Sequence, residues 1–141
     1  MSSNPVAAAA VRRDELAGTS GDASQRPVLV GIIGMSPAAD AALRVGFAYA
    51  EARGATLRVV CVGAASVDDD AFLIDLVDRW AEKYPRVTVT FSVRRAIDAA
   101  VTLAAAARSC GLLVVPASGE PGVAAVTKAL VRRSGCPVVL V

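Results

Sequence analysis

Leu112-Leu113-Val114-Val115-Pro116-Ala117-Ser118-Gly119-Glu120-Pro121-Gly122 reads as a buried strand, a tight loop and the first turn of a helix. An apolar run with no polar alternation belongs to a strand covered on both faces, as in the middle of a parallel sheet. In open α/β sheets, ligands settle beyond the carboxyl ends of such strands. A glycine-bearing loop that enters a helix also offers backbone N–H groups and a positive dipole end to a phosphate. Glu120, Pro116 and Pro121 work against that use of this loop.

The flanking chain repeats the same alternation of elements. Val28-Leu29-Val30-Gly31-Ile32-Ile33 is a second strand apolar on both faces. Gly34-Met35 turns the chain, Ser36 is a good N-cap and Pro37 a good first helical residue. The helix that follows reaches Arg53, with Ala39, Leu43, Phe47 and Ala50 on one face and Asp40, Arg44 and Glu51 on the other. Gly54 stops it. Residues 56–62 form the next strand. Asp68, Asp69 and Asp70 then open a helix at its positive end. Its apolar stripe is Leu73, Leu76, Val77, Trp80 and Tyr84, and Pro85 ends it. Residues 87–93 alternate strictly, which predicts a strand with one wet face and a place at the sheet edge. A helix over 97–109 turns Ala100, Leu103, Ala104 and Ala107 inward and leads into strand 112–115. The last helix, 122–134, buries Val123, Val126 and Leu130 and leaves Lys128 and Arg132 outside. Gly135 caps it, and 137–141 is the final strand. The order βαβαβαβαβ predicts a doubly wound parallel sheet with helices on both faces and right-handed crossovers.

At 141 residues the chain is one domain. Residues 1–26 hold Ser, Asn, Gly and an alanine run without a sustained apolar period, and read as a mobile tail with a short frayed helix over 6–16. Residues 27–141 are the domain, enough chain to bury about two-thirds of its unfolded surface. The net charge of +2, without a basic stripe carrying interleaved aromatics, argues against nucleic acid as a partner. No stretch approaches the roughly 20 apolar residues of a membrane span. The N-terminus has no basic region followed by an apolar one, so no signal peptide is expected. Three widely spaced cysteines make neither a disulfide framework nor a CxxC pair, which fits a reducing, cytoplasmic compartment.

Other chemistry is thinly represented. The chain has no histidine, which excludes Ser-His and Cys-His nucleophiles and a His-containing zinc site. Cys61 reads as core packing in a strand. Cys110 and Cys136 sit at element ends, where partial exposure is expected, without an activating base. The three aspartates at 68–70 are explained by helix capping, Ser36 by its own capping role, and Ser118 has no partner that the sequence names. No metal site is expected.

The closing strand carries a second message. Val138, Val139, Leu140 and Val141 hold no charge to protect an edge. A bare apolar edge invites pairing unless something covers it. Pairing with the same strand of a second subunit would give a twofold homodimer.

Three stretches together resemble a known family. Pro27-Val28-Leu29-Val30-Gly31-Ile32, Ser36-Pro37-Ala38-Ala39-Asp40-Ala41-Ala42-Leu43 and Gly54-Ala55-Thr56-Leu57 resemble the opening of universal stress protein domains. Gly135-Cys136-Pro137-Val138-Val139-Leu140-Val141 resembles their closing strand, and Leu112-Leu113-Val114-Val115 falls where their fourth strand lies. The resemblance covers 27–141. It implies a five-stranded sheet of order 3-2-1-4-5 in a three-layer sandwich of the adenine-nucleotide-hydrolase-like and flavodoxin-like kind. It also implies dimers through the fifth strand.

Many members of that family bind ATP through an Asp at the end of the first strand and a G-x2-G-x9-G-[S/T] loop after the fourth. Both features depart here. Counted back from Ser36-Pro37, Gly34 takes the Asp position; counted forward from Gly31, Ile33 does. In the loop, Pro116 replaces the first glycine and Gly119 keeps the second. Counted back from Cys136-Pro137, Ala124-Ala125 replace the Gly-[S/T] pair, leaving Glu120 to Val123 where nine residues are expected. The two prolines remove backbone donors, and Glu120 would repel a phosphate at the helix N-terminus. A rival register takes Gly119 and Gly122 as the G-x2-G, but moves the second pair to Arg132-Arg133, inside the helix. Lys128, Arg132 and Arg133 read as cations favouring the helix C-terminus.

The resemblance therefore implies a non-enzymatic, dimeric stress-response and interaction module with a degenerate nucleotide site, an unidentified protein partner and no required cofactor. The alternative is an adenine-nucleotide sensor of the same family with non-standard contacts. ATP would then meet Ile33, Gly34, Ser36, Ser118, Gly119, Gly122, Ala124 and Ala125. A small hydrolase or flavin protein of a related fold is the third reading, and it lacks a nucleophile-base pair.

Overall fold

The computed structural model describes residues 11–12, 26–34, 38–63, 67–95, 98–116 and 121–141. Its strands are β1 (Val11–Arg12), β2 (Val28–Ile33), β3 (Leu57–Val62), β4 (Val89–Arg94), β5 (Leu112–Val115) and β6 (Val138–Leu140). All pairings are parallel, in the order β1-β4-β3-β2-β5-β6. Leaving β1 aside, the five strands stand in the order 3-2-1-4-5. β2 is central: Val28 pairs with Leu57 on one side and Leu112 on the other. Its neighbours β3 and β5 are buried along their whole length, which is why β2 and β5 read as unbroken apolar runs; β3 carries Arg58 within its run.

The helices are α1 (Ala38–Arg53), α2 (Val67–Lys83), α3 (Ala99–Ala107) and α4 (Pro121–Arg133). On one face of the sheet, Leu43 and Phe47 of α1 and Leu73 and Val77 of α2 pack with Val28, Val30, Ile32 and Val59. On the other, Leu103 and Ala107 of α3 and Leu130 of α4 pack with Leu29, Leu113 and Val115. α3 starts two residues later than the apolar pattern suggests. Asp98 caps it, its carboxylate accepting the Val101 N–H at 3.1 Å.

Two features were not legible beforehand. Val11 and Arg12 are strand, paired with Val89 and Thr90, and not part of the helix expected over 6–16. The alanine run favours helix, but the open side of β4 supplies a backbone ladder that an isolated helix lacks. The other residues of that expected helix lie outside the described ones. Arg58, in the middle of the β3 run, is 6% exposed. Its Nη1 donates to Ser109 Oγ at 3.1 Å and to Cys110 Sγ at 3.5 Å, tying β3 to the chain just beyond α3.

α2 also buries a carboxylate. Asp78 is 1% exposed, and its Oδ1 has no hydrogen bond. Burial, then the charges of Glu82 and Asp75, hold this carboxyl above its ordinary 3.8. A carboxyl raised in the folded state binds protons more tightly than in the unfolded chain. The fold therefore loses stability as pH rises through the raised value. Asp78→Asn is expected to stabilise the protein at pH 7 by about 0.5–1 kcal/mol, the scale of two like-charge pairs one turn apart. Urea titrations should show the gain at pH 7 and its disappearance below the raised value; an equal gain at both pH values would refute the account.

Candidate functional site

The end of the sheet where β2, β3 and β5 stop is closed by backbone. Gly34 follows β2 with φ +65°, and its N–H donates to the Val62 carbonyl at 2.8 Å. Gly63 follows β3, and its N–H reaches the Arg94 carbonyl at 3.3 Å. The left-handed conformation at Gly34 strains any L side chain there, although no other residue's atom lies within 4 Å of a Cβ. Being glycine, Gly34 presents no side chain at this turn. Ile33, the other residue counted to that position, is a half-buried end of β2 with no polar atom on its side chain.

On the β5 side, Pro116 is buried and its carbonyl accepts the Thr127 hydroxyl at 3.0 Å. Thr127 is 5% exposed, so the second turn of α4 is fastened to the end of β5. The apolar pattern missed this residue, because a threonine between Val126 and Leu130 reads as surface. α4 begins at Pro121, so Gly122 is in its first turn, while Ala124 and Ala125 are exposed helical residues further along. Ser36, Ser118 and Gly119 lie outside the described residues. Of the expected nucleotide positions, the structure thus sets Ile33 and Gly34 at the rim beside Pro116, and carries Ala124 and Ala125 along α4.

Charged groups of both signs gather near the end of β3. Arg95 Nη2 lies 3.7 Å from Asp70 Oδ2 in a partly exposed ion pair. Burial first, then Asp70 and Asp69, push the Cys61 thiol up to about 11. Cys61 is core packing as expected. Cys110 is not partly exposed: it is 2% exposed, its thiol donating to the Ala106 carbonyl at 3.4 Å, and burial raises it despite the nearby Arg58. Cys136 is half-buried, and all three are free thiols. Since the thiolate is the reactive form, Cys61 and Cys110, both buried and both held above their ordinary value, react slowly in the native protein. A disulfide reagent should therefore find a single fast thiol in the native protein and three in guanidinium. Cys136→Ser should remove the fast phase; its persistence would contradict the assignment.

A second concavity lies away from the strand ends, between α1 and α2, lined by Asp40, Leu76, Arg79, Trp80, Glu82 and Lys83. Trp80 Nε1 donates to Asp40 Oδ1 at 2.7 Å, and Lys83 Nζ stands 4.6 Å from the Trp80 ring centre. Asp40 and Lys83 are thus both engaged with Trp80. Among the described residues, no group of three His, Cys, Asp or Glu side chains could hold a metal ion, and no helix is long and apolar enough to cross a membrane.

At the other sheet edge, β6 pairs only with β5 among the described residues. Val138, Val139 and Val141 are half-buried, and Leu140 is 48% exposed. Val138 and Val139 turn to opposite faces of the sheet, one to each core.

No protein-family model and no curated protein matches the chain. Solved structures do. The universal stress protein UspA from Lactobacillus plantarum superposes with a TM-score of 0.63 at 19% identity, over 82% of this chain and 96% of that one. A universal stress protein solved in complex with cAMP gives 0.61 at 24% identity, over 80% and 94%. A protein of the universal stress protein family from Burkholderia pseudomallei gives 0.59 at 25% identity, over 86% and 98%. The strand order, the two helical layers and these superpositions agree: the chain has the fold of the universal stress proteins.

Proposed function

We propose that the chain is a universal stress protein that acts as a non-catalytic, dimeric interaction module in the stress response, with a nucleotide cleft that no longer holds ATP. One observation carries this reading. α4 starts at Pro121 and is fastened by Thr127 to the Pro116 carbonyl, so little chain is left between β5 and the helix to wrap a triphosphate. Phosphate loops work by turning consecutive backbone N–H groups toward the oxygens. Pro116 and Pro121 contribute none, and Ala124 and Ala125 are helical residues without a hydroxyl. Calorimetry with millimolar ATP is expected to be flat; micromolar binding would overturn the reading.

A second reading has its own support. One of the similar proteins was solved with cAMP, a ligand with a single phosphate. A cleft too short for a triphosphate could still take an adenine monophosphate. It would give heat with cAMP or AMP and none with ATP.

The dimer belongs to the same proposal. Its support is the uncharged β6 edge, with Leu140 exposed and no further strand beside it among the described residues. Leu140→Lys adds a charge to the proposed edge. Sedimentation should show a dimer for the native chain and a monomer for this variant. A native monomer at micromolar concentration would remove the dimer and leave the cleft argument standing.

A further inference from the structure

Two free thiols stand together at the end of the sheet where the strands begin. Continued back from the Leu113–Val138 pair, the parallel register of β5 and β6 sets Cys136 against Gly111, the residue after Cys110. The Leu113 N–H donates to the Pro137 carbonyl at 2.9 Å, so the two segments still run side by side there. Neighbouring strands lie about 4.8 Å apart and rise about 3.3 Å per residue, which puts Cα atoms one strand and one residue apart roughly 6 Å from each other. A disulfide spans that separation. Strict strand alternation would turn the two side chains to opposite faces. Cys110 departs from it because the chain there is still leaving α3, its N–H donating to the Ala107 carbonyl at 3.0 Å. Both thiols therefore share one side of the sheet: Cys110 lies in the core beneath α3 and α4, and Cys136 packs against that same core.

Their surroundings differ. Cys136 is half-buried and Cys110 is 2% exposed. The Ser134 hydroxyl accepts the Cys136 N–H at 3.2 Å, donates to the Cys136 carbonyl at 3.0 Å and lies 3.4 Å from its Sγ, which fixes the turn that presents this thiol. Arg58 Nη1 stands 3.5 Å from Cys110 Sγ. A guanidinium at that distance favours the thiolate. Burial is the largest influence on Cys110 and raises it, Arg58 opposes the rise, and the charge of Cys136 adds to it, as two neighbouring thiols would.

We propose that Cys136 and Cys110 form an oxidative modification site, which a peroxide closes into an intramolecular disulfide with Cys136 as the attacked thiol and Cys110 as the resolving one. The Cys136 thiolate attacks the peroxide: an S–O bond forms, the O–O bond breaks, and one oxygen leaves as water or an alcohol. Cys136 is then a sulfenic acid. The Cys110 thiolate, supported by Arg58, attacks that sulfur: the S–S bond forms, the S–O bond breaks, and the hydroxide leaves as water with the proton Cys110 gave up. Two thiols are oxidised to one disulfide while the peroxide is reduced. The bridge ties the start of β6 to the end of α3, and it depends neither on what the cleft binds nor on pairing through β6.

The test treats the full chain with hydrogen peroxide, blocks the remaining thiols in guanidinium and cuts with trypsin. Cleavage after Arg108, Lys128 and Arg133 places Cys110 in peptide 109–128 and Cys136 in peptide 134–141. The oxidised chain is expected to lose two hydrogen atoms in mass. The two peptides should appear joined and separate on adding a thiol reductant, with Cys61 blocked as a free thiol. In Cys110→Ser, Cys136 should instead gain oxygen and pass to the sulfinic acid, since nothing resolves it. In Cys136→Ser, oxidation of Cys110 should be at least tenfold slower, because its thiol is enclosed. Oxygen on Cys136 of the native chain without the joined peptides would overturn the proposal. So would two chains joined through Cys136, or both thiols still free after a treatment that oxidises Cys136 in Cys110→Ser.

Discussion

Phe47→Ala is expected to cost about 3–5 kcal/mol, the largest single loss in the domain. Phe47 is fully buried and is the largest enclosed side chain among the described residues. It reaches from α1 to the stretch just past α2, where its ring stacks on Tyr84 with centroids 5.6 Å apart and planes 22° apart. The chain has few aromatics, and its core is otherwise built from Val, Leu and Ala. Those side chains are short and held by two helical layers, so they cannot close on a phenyl-sized hole. Domains of this size have roughly 5–15 kcal/mol in total. The loss should therefore lower Tm by about 10–20 °C. Phe47→Leu keeps most of the volume and should cost under about 1.5 kcal/mol. Urea and thermal unfolding check both values; a cost below about 1 kcal/mol for the alanine variant would mean that the site collapses freely.

Gly46→Ala should come next, although alanine is the better helix former by about 1 kcal/mol. Gly46 faces β2, and a Cβ there would overlap Val30 Cγ2 and come within 3.4 Å of Leu57 Cδ1. Val30 is fully buried in the central strand, and a β-branched side chain has little freedom to turn aside. The helix must lift from the sheet, or Val30 must leave its rotamer. Overpacking of this kind costs about 1–3 kcal/mol, so the net effect is destabilising despite the helix propensity. Val30→Ala removes the obstructing methyl groups. The double variant should lose less than the sum of the singles by at least about 0.5 kcal/mol. Strict additivity would show that the close approach of α1 to β2 is not the cause.

These two positions mark how far the sequence could be read. Strands 28–33 and 112–115 were read to the residue, because both faces are covered and no polar residue blurs the run. The α1 stripe of Ala39, Leu43, Phe47 and Ala50 was equally plain, but Gly46 beside it was silent. A close helix-sheet contact leaves no periodic signal. Arg58 and Thr127 were missed for a related reason: each is a polar residue buried by one particular partner, and partners distant in sequence are invisible to periodicity. The tail shows the same limit, since Val11 becomes a strand only because Val89 is beside it. Of the nucleotide positions, that Gly34 or Ile33 stands where the resemblance implies an Asp, and that few residues separate Val115 from the helix, was countable from residues alone. That Gly34 adopts φ +65°, a conformation that costs most L side chains energy, needed the backbone.

An all-parallel sheet has two unlike borders, and their pairing rules set how an assembly ends. β6 against β6 of another copy closes after two chains. β6 against β4 of the next copy repeats the same step without limit and grows a fibre. The two residues of β1 occupy the border on which that growth depends. Growth of that kind would have to displace β1 first, whereas pairing through β6 meets no such strand among the described residues.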